Sequence, residues 1–397
     1  MALSTRTAYW LVLSLLACLA ASCVERYEPE VLKSGSHYLV VDGFINGSGP
    51  TSIRLSRSIN LDNGTGTYPP ETKATVFIEN LGGTRYALAE SPGGVYTAAI
   101  RQLPPGQQYR LRIRTSGGDE YASEYTLLKQ TPAIDQFEGR VQADGLQLYI
   151  SAHDNSSQTR YYRWQYEETW EFTSAYWSHW KFAKGTSQRR PYFPRTEDIY
   201  HCWRTENATL ITTTSTVRLN QDAVRDYRLL FIPSSSKKLI SLYSILVRQY
   251  AMSQEEFDYW EAVKKNTENI GTLFDPLPNR IQGNVHSLTD ASEPVFGFVG
   301  ACTVVEKRIF INRLSLPAQW WPVDEQYANC TDVATYIHDT LRLGKNMYEE
   351  FADTTYRIPI NEIRRLDGTI IGFTNQTPDC VDCRRFGTNI KPSFWPR

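Results

Sequence analysis

The sequence predicts a mainly β protein: two β-sandwiches of the immunoglobulin or fibronectin kind, the second elaborated by an insertion and one amphipathic helix. Three observations lead there. Short runs rich in β-branched and aromatic residues alternate apolar with polar at period two, as in TSIRLSRS and YRLRIRT. Turn signals (NGSG, LGG, PGG, LPPG, SGG) separate these runs at short intervals. A helical period stands out in one segment, SQEEFDYWEAVKKNTEN.

The chain opens with MALSTRTAYWLVLSLLACLAASCVERYEPE. Arg6 precedes an apolar run from Tyr9 to Ala21, and small residues lead into Cys23. That is the pattern of a secretory signal, too short to span a bilayer comfortably. Leu19-Ala20-Ala21-Ser22-Cys23 resembles a bacterial lipobox, with its leucine four places before the cysteine instead of three. Residues 1–22 are therefore expected to be a signal peptide, Cys23 the lipidated residue, and 23–36 a tether. Each buried methylene contributes about 0.8 kcal/mol, so two or three acyl chains hold a body at a membrane. No later run reaches the roughly 20 apolar residues of a membrane helix.

Removing Met1 to Ser22 from 397 residues leaves 375, enough for two or three domains. The mature net charge is near −2, because the signal takes away Arg6 alone. Such a balance gives no reason to expect nucleic acid or an anionic membrane surface as partner.

The strand-like runs from YLVVDGFI to EYASEYTLL predict a first sandwich over 37–131. KQTPAID marks the joint, and FEGRVQ, LQLYISAHD and YYRWQYEETWEF open a second sandwich over 132–316. An aromatic-rich insertion occupies about 174–207. In the helix at about 254–267, Ser253 is the expected N-cap and Glu256 completes a capping box. Phe257, Trp260 and Val263 share one face, which is expected to cover a sheet. The run PVFGFVGACTVV and then KRIFINRL are expected to complete that second sheet. Residues 317–397 read as an irregular, cysteine-containing region packed on the second domain.

Beyond Cys18 and Cys23 five cysteines remain, and in an exported chain they read as disulfides first. Cys302 lies inside VFGFVGACTVV and is expected to be the unpaired, buried one. Cys202, Cys330, Cys380 and Cys383 are then the disulfide candidates, with three connectivities open. CVDC has the spacing of half a zinc site, but no second CxxC exists and no histidine lies near Cys383, so no metal is expected.

Signs of catalysis are few. The chain lacks a G-x-S-x-G elbow, H-E-x-x-H, a P-loop and a dinucleotide fingerprint, and its six histidines are scattered. His153 beside Asp154 is the kind of adjacency any chain of this length contains. No enzyme activity and no cofactor are expected. The compositional anomaly is aromatic: 14 of the 43 residues from Tyr161 to Trp203, against 13% overall. Trp164 and Trp170 alternate within a strand and belong in a core. Tyr176, Trp177, Trp180 and Phe182 sit in a loop-like composition, SAYWSHWKF, and are the candidates for a platform facing a ligand or partner.

Several segments taken together carry a resemblance. These are YLVVDGFINGSGPTSIRLSRS, LPPGQQYRLRIRTSGGDEYASE, YYRWQYEETWEF, FDYWEAVKKNTENIGTLFDPLPNRIQGNVHS and the closing CVDCRRFGTNIKPSFWP. They resemble a family of outer-membrane lipoproteins of Bacteroidota described only as domain of unknown function 4249. The resemblance implies a lipid-anchored outer-membrane protein, commonly encoded beside a TonB-dependent transporter, and hands over no reaction or ligand. In that lineage acid just after the lipidated cysteine favours the cell surface; Glu25, Glu28 and Glu30 supply it, with Arg26 interrupting. The expected role is a non-enzymatic binding or accessory subunit of such a transporter. The alternative is surface adhesion or matrix binding, and a carbohydrate-active enzyme comes third.

Overall fold

Period-two alternation becomes layered sheets. In β1 (Leu39–Asn46) and β2 (Thr51–Arg57), Val41, Ile53 and Leu55 turn inward while Arg54 faces water. The computed structural model describes residues 37–59, 68–99, 102–183, 192–268, 281–337 and 346–396. The signal, Cys23 and the tether lie outside the described residues. The first sandwich continues with β3 (Thr75–Asn80), β4 (Arg85–Ser91), β5 (Val95–Ala98), β6 (Gln108–Arg114), β7 (Glu120–Ser123) and β8 (Thr126–Leu127). β4 is the corner: Tyr86 pairs with Ile78 of β3, whereas Glu90 pairs with Tyr96 of β5. The ribbon thus doubles over, and Val41, Ile53 and Leu55 share one core with Val76, Leu111 and Ile113.

The second sandwich begins with β9 (Ile134–Val141), β10 (Gly145–His153) and the long β11 (Tyr161–Thr173). After a hairpin of β12 (Trp180–Phe182) and β13 (Tyr192–Pro194) come β14 (His201–Asn207), β15 (Thr212–Ser215), β16 (Ala223–Pro233) and β17 (Leu242–Met252). One sheet has the order β16-β10-β9. The other runs β14-β11-β17 and is closed by β20 (Val304–Asn312), with β15 beside the start of β11. Trp164 and Trp170 lie in the core between the sheets with Leu148, Ile150 and Val247. The indole of Trp164 donates to Gln249 Oε1 at 2.9 Å, and the Tyr162 hydroxyl to Asp222 at 2.9 Å, so these large rings are buried with their polar tips satisfied.

Helix α1 (Gln254–Glu268) forms where its period predicts, and Ser253 Oγ accepts from the Glu256 amide at 3.1 Å. The capping box needs correction. Glu256 is 5% exposed, and a Cβ placed on Gly300 would fall 2.1 Å from its Oε2. Its carboxyl lies beneath the 299–302 segment, turned to the interior.

That segment corrects the sequence reading again. PVFGFVGACTVV does not belong as a whole to the second sheet. Between α1 and β20 the chain crosses to the first sandwich, where β18 (Val285–Ser287) pairs with β7 and β19 (Ala301–Cys302) pairs parallel to β1. Val285, Val295, Val299 and Ala301 complete the first core. The contact is backbone on backbone: Val41 N donates to Phe296 O at 2.8 Å, and Phe296 N to Leu39 O at 2.9 Å. A Cβ on Gly297 (φ +121°) would lie 1.9 Å from the Val41 carbonyl oxygen. Only glycine fits there in both space and backbone conformation. Gly297→Ala is expected to cost at least about 1–3 kcal/mol, read as a lowered denaturant midpoint.

The region after 317 is not irregular. β21 (Val333–Tyr336), β22 (Ile358–Arg364) and β23 (Ile370–Gln376) form a sheet of order β21-β23-β22, joined by the short helices α2 (Met347–Ala352) and α3 (Pro378–Val381). Its core holds Met347, Phe351 and Phe373 together with Phe182 from the insertion. The last residues return to the second sandwich: Thr388 pairs with Trp203 of β14, Phe394 lies under Arg308 at 3.5 Å, and Trp395 meets Phe310 edge-on at 5.7 Å.

Candidate functional site

The insertion leaves β11 at Ser174 and passes beside β22, tied to it by hydrogen bonds outside any strand ladder. His179 N donates to Ile360 O at 3.0 Å, and Ser178 Oγ to Pro359 O at 2.6 Å. Tyr176 turns in: its hydroxyl donates to Cys330 O at 2.8 Å and accepts from Asp332 N at 3.1 Å. Trp177 turns out and Ser178 turns in. Trp180 is part-buried, with its indole N–H on the Glu362 carboxylate and its ring edge-on to Phe373 at 6.2 Å. Phe182 is buried, 5.2 Å from both Phe351 and Phe373. The four-ring platform expected from the sequence is therefore corrected. Tyr176, Trp180 and Phe182 are structural, because the C-terminal sheet supplies the partners they pack on, and Trp177 alone of the four is open to solvent.

Trp177 acquires neighbours the sequence did not suggest. It is half-exposed and stacks on Tyr200 at 5.1 Å and on His179 at 6.0 Å, with His201 edge-on at 5.5 Å. Asp198 orders the far side, accepting from Tyr200 N at 2.8 Å, His201 N at 3.0 Å and His201 Nδ1 at 3.0 Å. Burial pushes its carboxyl up, and these hydrogen bonds more than reverse that, holding it below the usual range. Arg195, itself largely enclosed, donates to Ser178 Oγ at 2.9 Å and Trp180 O at 3.2 Å and fixes this segment. Chemically this is an adsorptive surface: an indole flanked by imidazoles and a phenol can stack on a flat apolar face and hydrogen-bond around it. Phe182→Ala is expected to lower stability by about 3 kcal/mol. Trp177→Ala is expected to move it by no more than about 0.5–1 kcal/mol. Thermal midpoints of the two variants check the assignment.

All four candidate cysteines pair. Cys202 of β14 bonds Cys383, and Cys330 bonds Cys380, with Cα–Cα distances of 5.8 and 5.7 Å. Cys302 is left free and buried. The two thiols of CVDC thus go to different partners, one into the sandwich and one within the C-terminal unit. Among the described residues no group of three or more His, Cys, Asp or Glu converges to hold a metal ion. His153 pairs with Asp135 at 2.7 Å on the surface, while Asp154 accepts from the Ser156 and Thr159 amides of its own loop. His338 lies outside the described residues. A groove of about 460 Å³ beside β14 is lined by Trp203, Arg204, Arg385 and Phe386. Both guanidiniums are already committed, Arg204 to Glu206 at 2.8 Å and Arg385 to Asp379. No helix among the described residues is long and apolar enough to cross a membrane.

Two sandwiches, the second joined by the Cys202–Cys383 disulfide to a small C-terminal unit, define a β-rich body. The chain matches the family described as Domain of unknown function (DUF4249) over residues 24–308, well over half its length, and belongs to that family. The match spans both sandwiches and stops inside β20, so the C-terminal unit lies beyond it. No curated protein compared with the chain matches it.

Proposed function

We propose that this is an outer-membrane lipoprotein, anchored through acyl chains on Cys23 and facing the cell surface, whose β body is a non-enzymatic binding or accessory subunit of a TonB-dependent transporter. The observation that carries the reading is the signal ending in Leu19-Ala20-Ala21-Ser22-Cys23. The family match, which begins at residue 24 immediately after that cysteine, supports it. An anchor followed by a short tether suits a body that acts beside a membrane protein and not at a distance from it. A second reading, surface adhesion, draws on Trp177 and its stacked neighbours, an aromatic display compatible with a polymer or another cell.

Cell fractionation tests the anchor. Wild-type protein is expected in the membrane fraction and labelled by a radioactive fatty acid, and Cys23→Ala is expected to be unlabelled and released. Membrane retention of unlabelled Cys23→Ala protein contradicts the anchor.

A further inference from the structure

A cleft of about 280 Å³ opens on the outer face of the β16-β10-β9 sheet, lined by Gln142, Asp144, Gln147, Tyr149, Arg228 and Phe231. Period-two alternation makes this face. Leu146, Leu148 and Ile150 of β10 lie in the core, so Gln147 and Tyr149 point away from it. Across the ladder Gln147 stands opposite Phe231, and Tyr149 stands between Glu138 and Arg228. The walls are held in place. Gln142 N donates to Gly145 O at 2.7 Å and Ser234 N to Asp144 O at 2.9 Å, which pins the hairpin turn. The Phe231 ring rests on Gly145, where a Cβ would lie 2.6 Å from its Cζ. Arg140 covers Tyr149, with its guanidinium 4.5 Å from the ring centre.

Three polar groups of this cleft keep unused capacity. Gln147 gives its side-chain N–H groups to Leu148 O (3.3 Å) and Leu230 O (3.0 Å), which leaves Oε1 as an acceptor. The exposed Arg228 guanidinium has no ion pair among the described residues, because Arg140 takes both nearby acids, Glu138 and Asp226, each at 2.6 Å. The Asp144 carboxylate is likewise exposed and unpaired among the described residues. Asp144 and Arg228 thus line one cleft with opposite charge and do not pair with each other. Arg228 is level with Tyr149, and 149 minus 144 is five residues, or about 16 Å along the strand. Side chains reaching in from both ends leave about 10 Å, the length of three extended residues. A neutral sugar ring can use the aromatic wall and the amides, but it leaves both charges without a counterpart. A short peptide with free termini meets every group. Its ammonium faces Asp144, its carboxylate enters the Arg228 fork, a peptide N–H reaches Gln147 Oε1, and its middle side chain lies on Phe231.

We propose that this cleft binds a short peptide by both of its free termini, with Asp144 holding the amino end and Arg228 the carboxyl end. The site depends neither on the anchor nor on a transporter. The test is calorimetric titration of the full lipidated chain in mild detergent, with the tripeptide alanyl-leucyl-alanine as probe. One-to-one binding is expected with a Kd on the order of 1 mM, as suits a small open cleft. Acetylating the amino end or amidating the carboxyl end is expected to weaken binding at least tenfold. Asp144→Asn is expected to weaken the free peptide as much and to erase its preference over the acetylated form. Arg228→Gln is expected to do the same with respect to the amidated form. Arg54→Gln, at an exposed position of the first sandwich, is expected to leave binding unchanged. Equal melting points show that the variants fold. No saturable heat up to ten times the expected Kd overturns the proposal, as does equal binding of the doubly masked peptide or binding indifferent to both cleft variants. Binding of maltotriose in place of the peptide also overturns it and assigns the cleft to sugar. Each of these results leaves the anchor and the transporter reading standing.

Discussion

Replacing Cys202 and Cys383 by serine is expected to unfold the C-terminal unit while both sandwiches keep their cores. The bond joins residues 181 apart, and Cys330–Cys380 joins residues 50 apart. In the chain-entropy model these loops correspond to about 5 and about 4 kcal/mol. The sandwiches each bury a core of their own, whereas the C-terminal sheet shares its small cores with the insertion. Loss of the staple therefore falls first on the small unit, which is expected to become sensitive to protease while a fragment ending near Asn312 survives. Thiol counting gives a companion result. Without reduction, the denatured mature protein is expected to titrate one thiol, that of Cys302, and five after reduction, with Cys23 blocked by lipid. Survival of the whole chain in the Cys202→Ser, Cys383→Ser variant under protease would contradict this.

Arg163→Ala is expected to cost about 3–5 kcal/mol, because it strands a buried charge. Arg163 is 6% exposed on β11, its guanidinium 4.8 Å from the Tyr250 ring and 4.3 Å from the Trp260 ring. Its charge faces Glu256 at the joint where α1, β11 and the crossing segment meet. Burial raises the Glu256 pKa above the usual carboxylate range, and Arg163 opposes that rise. The sign follows from linkage. A carboxyl whose folded pKa lies above its unfolded value holds its proton longer when folded. Stability is therefore greatest below the unfolded value, near 4.3, and falls as pH rises through the folded pKa. Removing Arg163 raises that pKa further and deepens the loss, so the variant is expected to be worse at pH 8 than at pH 5. Adding Glu256→Gln should recover part of the stability and remove this pH dependence. Urea midpoints at both pH values check it, and an Arg163→Ala penalty independent of pH would show that Glu256 is not its partner.

Local pattern exposed much of the fold. TSIRLSRS and YRLRIRT became strands whose apolar residues point inward, because period two is a local property. The alternating tryptophans of YYRWQYEETWEF fell in the core for the same reason. Non-local pairing was hidden. PVFGFVGACTVV has the composition of a strand, but composition does not say that its backbone belongs to β1, more than 250 residues away. The glutamate of the capping box looked ordinary, since nothing in SQEE announces that Gly300 will close over it. In the tail a signal existed: Asp367-Gly368 sits between IPINEIR and IIGFTNQ, as a hairpin turn does. The rings of Trp180 and Phe182 looked available because the sheet that covers them is formed more than 150 residues later. Tyr200 and His201 lay within the aromatic-rich stretch, and only the return of the chain after the hairpin brings them to Trp177. The doubled Trp320-Trp321 was legible as letters, while the inward turn of one and the outward turn of the other depend on where Arg313 fastens the loop.

The most direct measurement is a mild-detergent pull-down of the tagged, lipidated protein from its native membranes, with bound proteins identified and quantified by mass spectrometry. A TonB-dependent transporter is expected in near-stoichiometric amount, across an interface burying more than about 1,000 Å². A membrane preparation in which the lipidated protein is abundant and no transporter accompanies it would contradict the accessory role and leave adhesion as the reading to pursue.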